Sequence, residues 1–254
     1  MKRQDPMKRL AAMKGLLLPA LLIVLAEIGA RLHGPSDVIA PPSQVVFAFG
    51  EAIRSGSLVS ATLDTLIAAF GGLAIGGAIG LALGVVLGLS RTLDRVLELP
   101  VEVLRPIPSV AVIPVALVAL GFGYGLEIAI VAFACVWPML IFARAAVAGV
   151  EPRLLEVARA LKLSPWATVT KIVAPAALPS IFVAFRLAAG VALIVAVTVE
   201  IAVNPQGLGA ALMTYGQALR PDITIAFLVW VGVVGFALNQ GLLIAEARLF
   251  RGQR

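Results

Sequence analysis

The chain has 254 residues, 61% of them hydrophobic and 13% charged, at a mean hydropathy of +1.04. That composition excludes a soluble domain, and the net charge of +6 comes without the aromatic and basic interleaving of a nucleic-acid surface. A single cysteine, Cys135, and a single histidine, His33, leave no internal disulfide and no His/Cys metal cage. No metal or other cofactor is expected. Cys135 reads as a small apolar filler and His33 as an interface residue.

Membrane helices are the expected form, because lipid forces the backbone to satisfy itself. Residues 65–90, 106–126 and 223–245 carry no charged side chain, and each is long enough to cross. The chain opens on a basic tail (1–14, with Lys2, Arg3, Lys8, Arg9 and Lys14) and an apolar run over 15–30, broken by Pro19 and Glu27. Glu27 stands where a signal peptide would need a small-residue cleavage site, so the run is read as an uncleaved first membrane helix. Pro35, Pro41 and Pro42 interrupt regular structure. Ser43 is then expected to cap a short helix on the outer membrane surface, with Val46, Phe49 and Ile53 on its apolar side.

The second membrane helix spans 63–89. Its Gly72, Gly76, Gly80, Gly84 and Gly88 form one ridge that lets a neighbouring backbone approach. Residues 91–105 read as a charged turn. A proline-rich third helix follows, with Pro106, Pro108 and Pro114; its kink would line a cavity, serve as a hinge or be a static bend. A tight Gly121–Gly125 turn (GFGYG) leads into a fourth helix over 126–143, a fifth covers 181–203, and a sixth 223–245. The resulting domain, 15–246, ends in a short basic tail, 247–254, with Arg248, Arg251 and Arg254. With both termini inside, 17 of the 20 Lys and Arg residues fall on the cytoplasmic side, as the positive-inside rule requires.

That orientation makes residues 151–179 a cytoplasmic loop. Leu154, Val157, Ala158 and Leu161 form an apolar stripe on a first short helix, opposite Arg153, Glu156, Arg159 and Lys162. Ser164 caps a second helix whose first position is Pro165. Its stripe is Trp166, Val169 and Val173, and Pro175 and Pro179 are expected to end it before the membrane is re-entered. An ordinary solvated loop is the bland alternative; paired stripes and caps favour a rigid, protruding elbow.

The sequence EVARALKLSPWATVTKIVAPAALPSI resembles the cytoplasmic loop motif of binding-protein-dependent ABC importer permeases. Glu156 and Ala158 match the first and third positions of its Glu-Ala-Ala start, and 172–175 and 177–179 match its end. APPSQVV (40–46), GLSRTLDRVLELPVEVLRPIPSVAVIP (88–114), FRLAAGVALIVAVTVEI (185–201) and GLGAALM (207–213) resemble the subfamily serving aliphatic sulfonates, taurine and nitrate. Lys162 stands where that family has a turn glycine, so the turn is expected to be made differently, by Ser164 and Pro165.

The resemblance implies an all-α, polytopic, six-helix permease of the type I ABC importer fold in the bacterial inner membrane. It implies two copies of a separate ATP-binding subunit, an extracytoplasmic solute-binding protein and a second permease copy, a homodimer in this subgroup. Glu156, Ala158, Arg159, Lys162, Ser164, Pro165 and Trp166 would then form the contact with the ATPase. The cargo would be a small anionic solute.

No G-x-x-x-x-G-K-[ST] loop and no nucleophile–base constellation is present, so the chain is not expected to be an enzyme. For the pathway, Arg186, Glu200 and Asn204 share a face of the fifth helix. Charged groups in a membrane helix are functional candidates, yet Arg186 and Glu200 lie near its two ends and would equally snorkel to the interfaces. Glu27 and Glu127 read as interface residues. An ion-gradient-driven secondary transporter and a membrane anchor recruiting a soluble partner are the competing classes.

Overall fold

In the computed structural model, which describes residues 6–34 and 36–250, the glycine ridge faces a single partner. Helix α3 (Ser57–Leu89) packs backbone to backbone on α6 (Tyr124–Ala148). A Cβ added at Gly84 would lie 2.6 Å from the Leu140 carbonyl oxygen and 2.8 Å from the Ala143 Cβ. At Gly72, Gly76, Gly80 and Gly88 it would likewise collide with α6. The four-residue period is therefore a packing code, and it is filled.

By their contacts the residues form two units, 1–59 with 211–230, and 60–210 with 231–254. In the first, α1 (Pro6–His33) runs unbroken through Pro19, one helix over the run where a first membrane helix was expected. Pro19 removes one hydrogen bond, and the rest of a long apolar helix carries the turn. Leu17, Leu21, Leu25 and Leu32 are all exposed, as suits a surface facing lipid.

Helix α2 (Pro42–Arg54) has Pro41 at its N-cap, not Ser43. Glu27 does the capping: its carboxylate accepts the Ser43 N–H at 2.9 Å and the Ser43 hydroxyl at 2.8 Å, while Arg31 Nε donates to it at 2.6 Å. The buried face of α2 is Ala48 and Ala52. Val46 and Phe47 project outward, and Phe49 stacks on Trp230 with centroids 5.6 Å apart.

In the second unit, residues 91–104 form a helix where a turn was expected: α4 (Arg91–Leu104). Ser90 starts it, its Oγ accepting the Leu93 N–H at 3.4 Å. Arg144, near the C-terminal end of α6, holds it in place: its Nε lies 2.6 Å from Asp94 Oδ1, and its Nη2 donates to Oδ2 at 2.8 Å. Pro106 and Pro108 then break the chain before a 3-10 turn (Ser109–Val112) and α5 (Ile113–Leu120), so the proline-rich segment is not one helix. It meets α4 at a bend of 79°. Gly121 and Gly123 take φ of +72° and +110°, the left-handed conformation that the turn before α6 demands.

The core lies between α6 and α9 (Ala174–Ala202), where Leu126, Ile130, Val131 and Cys135 meet Ala188, Ala192, Ala196 and Val199. Alanines on α9 bring the two axes close, and Cys135 is fully buried among them. Four stretches among the described residues have the length and apolarity of membrane spans: 57–89, 124–148, 165–202 and 221–249. The bent pair of α4 with the 3-10 turn and α5 makes a fifth. With α1 added, this is compatible with the expected six. The basic residues Lys2, Arg3, Arg251 and Arg254 lie outside the described residues.

Candidate functional site

The loop over 151–179 folds as an elbow. Helix α7 (Pro152–Ala160) ends in a Schellman turn: Lys162 N–H donates to the Arg159 carbonyl at 3.0 Å, and Leu163 N–H to the Ala158 carbonyl at 3.0 Å. Lys162 takes φ of +50°. The turn is thus made at Lys162 itself, not by Ser164 and Pro165 alone, and a lysine occupies a conformation that suits glycine. Two capping hydrogen bonds offset the local strain. Ser164 caps the next helix, α8 (Pro165–Thr168), by accepting the Ala167 N–H at 3.2 Å.

Pro175 and Pro179 do not end that second helix. It continues through a π-turn (Val169–Val173) into α9, so 165–202 is one rod. A proline ring clashes with the carbonyl four residues earlier. The wider π-turn falls over that position for Pro175 and relieves the clash.

Burial divides the elbow. Ala158, Val173 and Ala177 are buried, and Val173 and Ala177 pack with Val147, Val150 and Leu155. The outer side keeps Leu161 (65% exposed) and Trp166 (77% exposed), with Val157, Glu156, Arg159 and Lys162. Leu161, Val157 and Trp166 of the expected apolar stripes are therefore exposed, beside charged Glu156, Arg159 and Lys162. Large apolar groups held in water on a rigid support are what a docking surface provides.

The three expected pathway residues separate into two places. Arg186 pairs with Glu246 of α11 (Pro221–Leu249), its Nη1 donating at 3.0 Å, with both side chains about a quarter exposed. Glu200 and Asn204 lie at the other end of α9, each 2% exposed, and Asn204 Nδ2 donates to Glu127. Glu127 is 1% exposed, so it is no interface residue. Glu200 accepts the Gly209 N–H at 2.7 Å, and so caps α10 (Leu208–Gln217) from a neighbouring helix. Thr65 accepts the Leu208 N–H at 2.9 Å and donates to the Ala61 carbonyl at 3.0 Å. At Gly207, with φ +96°, a Cβ would fall on the Glu200 carboxylate. The loop is clasped to the bundle by these groups.

A cavity of about 390 Å³ opens beside the 3-10 turn, α6 and α9. Arg105, Ser109 and Trp137 line it together with the apolar Phe133, Ile141 and Val191, and the Trp137 Nε1 is buried away from its surface. Arg186, Glu200 and Asn204 are absent from its lining. In the sequence Arg105 reads as the end of the charged turn over 91–105 and as one of the basic residues counted on the cytoplasmic side. Its position just before the Pro106–Pro108 break is the signal that could have marked it.

The sequence profile described as binding-protein-dependent transport system inner membrane component matches residues 76–249. An aliphatic sulfonates transport permease protein of Bacillus subtilis is 29% identical, over 98% of this chain and 91% of its own length. An ABC transporter permease protein of Methanocaldococcus jannaschii is 31% identical, over 92% of this chain and 89% of its own length. A solved chain of a methionine ABC transporter in inward-facing conformations superposes with a TM-score of 0.65 at 24% identity, over 74% of this chain and 92% of its own. The last is a likeness of fold.

Proposed function

The chain belongs to the binding-protein-dependent transport system inner membrane components, and on that premise we propose that two copies of it form the pathway of an importer for small anions such as aliphatic sulfonates, taurine or nitrate. It is a multi-pass membrane subunit of an ABC importer and not an enzyme; a separate subunit hydrolyses ATP, and a solute-binding protein delivers the cargo. Both termini and the elbow face the cytoplasm in this reading. Glu156, Arg159, Lys162 and Trp166 meet the ATPase, and Ala158, Ser164 and Pro165 hold the elbow's shape.

The observation that carries the reading is the division of the elbow, an inner side sunk into the helix core and an outer side of exposed apolar and charged groups. A passive loop has no need of the buried half. A carboxylate such as Glu156, desolvated on docking, gains most from an arginine on the partner and fixes the register of the contact.

Proteoliposomes holding the chain, its ATPase and its binding protein test this. Uptake is expected to need both ATP and the binding protein. Glu156→Lys is expected to abolish ATPase retention while leaving the fold intact by circular dichroism. Uptake driven by an ion gradient in the chain alone, or retention and uptake that survive Glu156→Lys, overturns it.

A further inference from the structure

We propose that Glu127 and Glu200 hold one proton between them, carried by Glu127 and donated to Glu200, and that this proton latches the turn before α10 (residues 203–207) to the bundle. The proposal goes beyond the importer reading and holds for any cargo.

The two acids come from different helices, α6 and α9, and their carboxyl groups lie within hydrogen-bonding distance of each other. They are 1% and 2% exposed. An ionised carboxylate can only accept hydrogen bonds. With both ionised, Glu127 Oε1 and Glu200 Oε1 are buried acceptors that no donor reaches, and two like charges touch away from water. No Lys, Arg or His among the described residues forms an ion pair with either acid. The other titratable groups facing them are Asp64 of α3 and Tyr124 of α6, and the Tyr124 hydroxyl already donates to Asp64 at 2.6 Å. A single proton in the contact turns one acceptor into a donor and removes one of the two charges.

The surroundings decide which acid keeps its charge. Glu200 accepts the Gly209 N–H at 2.7 Å from the first turn of α10, a helix of ten residues whose N-terminus favours an anion. The Thr65 hydroxyl also reaches it. Glu127 has the side-chain amide of Asn204, which does less for a charge than a helix N-terminus. Glu127 therefore carries the proton. A metal ion fits this place poorly. Gly207 presses so closely on the Glu200 carboxylate that a Cβ there would overlap it. No three His, Cys, Asp or Glu side chains among the described residues are placed to hold a metal. The groups that hold the turn, Asn204 on Glu127 and Gly209 on Glu200, hang on the two halves of the contact. Loss of the proton drives those halves apart and releases the turn.

The test uses the full chain in lipid nanodiscs. Glu127→Gln copies the protonated acid in shape and keeps a donor toward Glu200. The infrared difference between wild type and Glu127→Gln at neutral pH is expected to show the C=O band of a protonated carboxyl, moved to lower frequency in heavy water. On alkaline titration wild type is expected to lose that band. With it should go about tenfold of the hydrogen-exchange protection at Leu208 and Gly209, after correction for the intrinsic rise of exchange with pH. Glu127→Gln is expected to keep its protection throughout. Should Glu127→Gln fail to fold, Glu200→Gln serves as the reference, since its amide becomes the donor and leaves Glu127 ionised. A missing band, a band that alkaline titration does not remove, protection that outlasts it, or an equal loss in Glu127→Gln overturns the proposal. Replacing sodium chloride by choline chloride is expected to change nothing. Loosening of the turn under that exchange would put a sodium ion between the carboxylates and overturn it as well. None of these measurements involves ATP or cargo, so their failure leaves the importer reading standing.

Discussion

Adding one methyl group to α3 at Gly84 should do more damage than any loss of an exposed side chain. The added Cβ would sit 2.6 Å from the Leu140 carbonyl oxygen, 2.8 Å from the Ala143 Cβ and 3.0 Å from the Arg144 nitrogen. Ordinary contact begins at 3.4 Å, so α3 and α6 must part locally by about 0.8 Å. All three obstacles are backbone or Cβ atoms of a helix and cannot rotate away. The parting loosens the neighbouring seam at Gly80 and Gly88 too. Overpacking of this kind costs about 3 kcal/mol, the upper end of the usual range. For a chain of this length that corresponds to a fall in Tm of roughly 6–12 °C.

Gly77 on the same helix is the control. A Cβ there meets only Leu73 Cδ1, at 3.8 Å. Gly77→Ala should therefore stabilise, by about 0.5–1 kcal/mol, through reduced freedom of the unfolded chain. Thermal unfolding of both variants in one detergent, followed by far-ultraviolet circular dichroism, decides the matter. If Gly84→Ala melts with the wild type, or both alanines shift Tm alike, the backbone-to-backbone seam is not what holds these helices together.

Three further outcomes are expected. Lys162→Gly should stabilise the elbow by about 1 kcal/mol, because the left-handed conformation at φ +50° penalises a side chain; slower proteolysis within residues 151–179 reports it. Gly207→Ala should cost about 1–3 kcal/mol by driving a methyl group onto Glu200 at φ +96°, and should free the turn before α10 for faster amide hydrogen exchange at Leu208 and Gly209. Trp166→Cys should react with a membrane-impermeant maleimide in inside-out vesicles and stay silent in right-side-out ones. The native Cys135 is fully buried and gives no background. Labelling from the outside would reverse the topology and with it the docking assignment.

The sequence shows those features whose cause is local or periodic. Five glycines at a period of four can only be a ridge, and the turn glycines at 121 and 123 announce positive φ. Ser164 before Pro165 starts a helix from residues adjacent in the chain. What escaped depends on partners far along it. Glu127 reads as an interface acid until Asn204, 77 positions away, folds against it. Glu27 supplies a cap that Ser43 was expected to make, from 16 positions earlier. The helix over 91–104 looked like a turn because its anchor, Arg144, belongs to another element. Lys162 shows a different limit. Backbone geometry can be kept when the residue that usually provides it is gone, if the surrounding hydrogen bonds insist on it.

The unbroken run from Pro165 to Ala202 has a mechanical corollary. Trp166 at its exposed tip and Val195 on the wall of the cavity beside the 3-10 turn ride on one shaft, separated by roughly 40 Å at the helical rise. A load applied at the tip need not be relayed through side chains to be felt at the wall. The π-turn at 169–173 is a soft joint along it, and torsion there would absorb part of such a load.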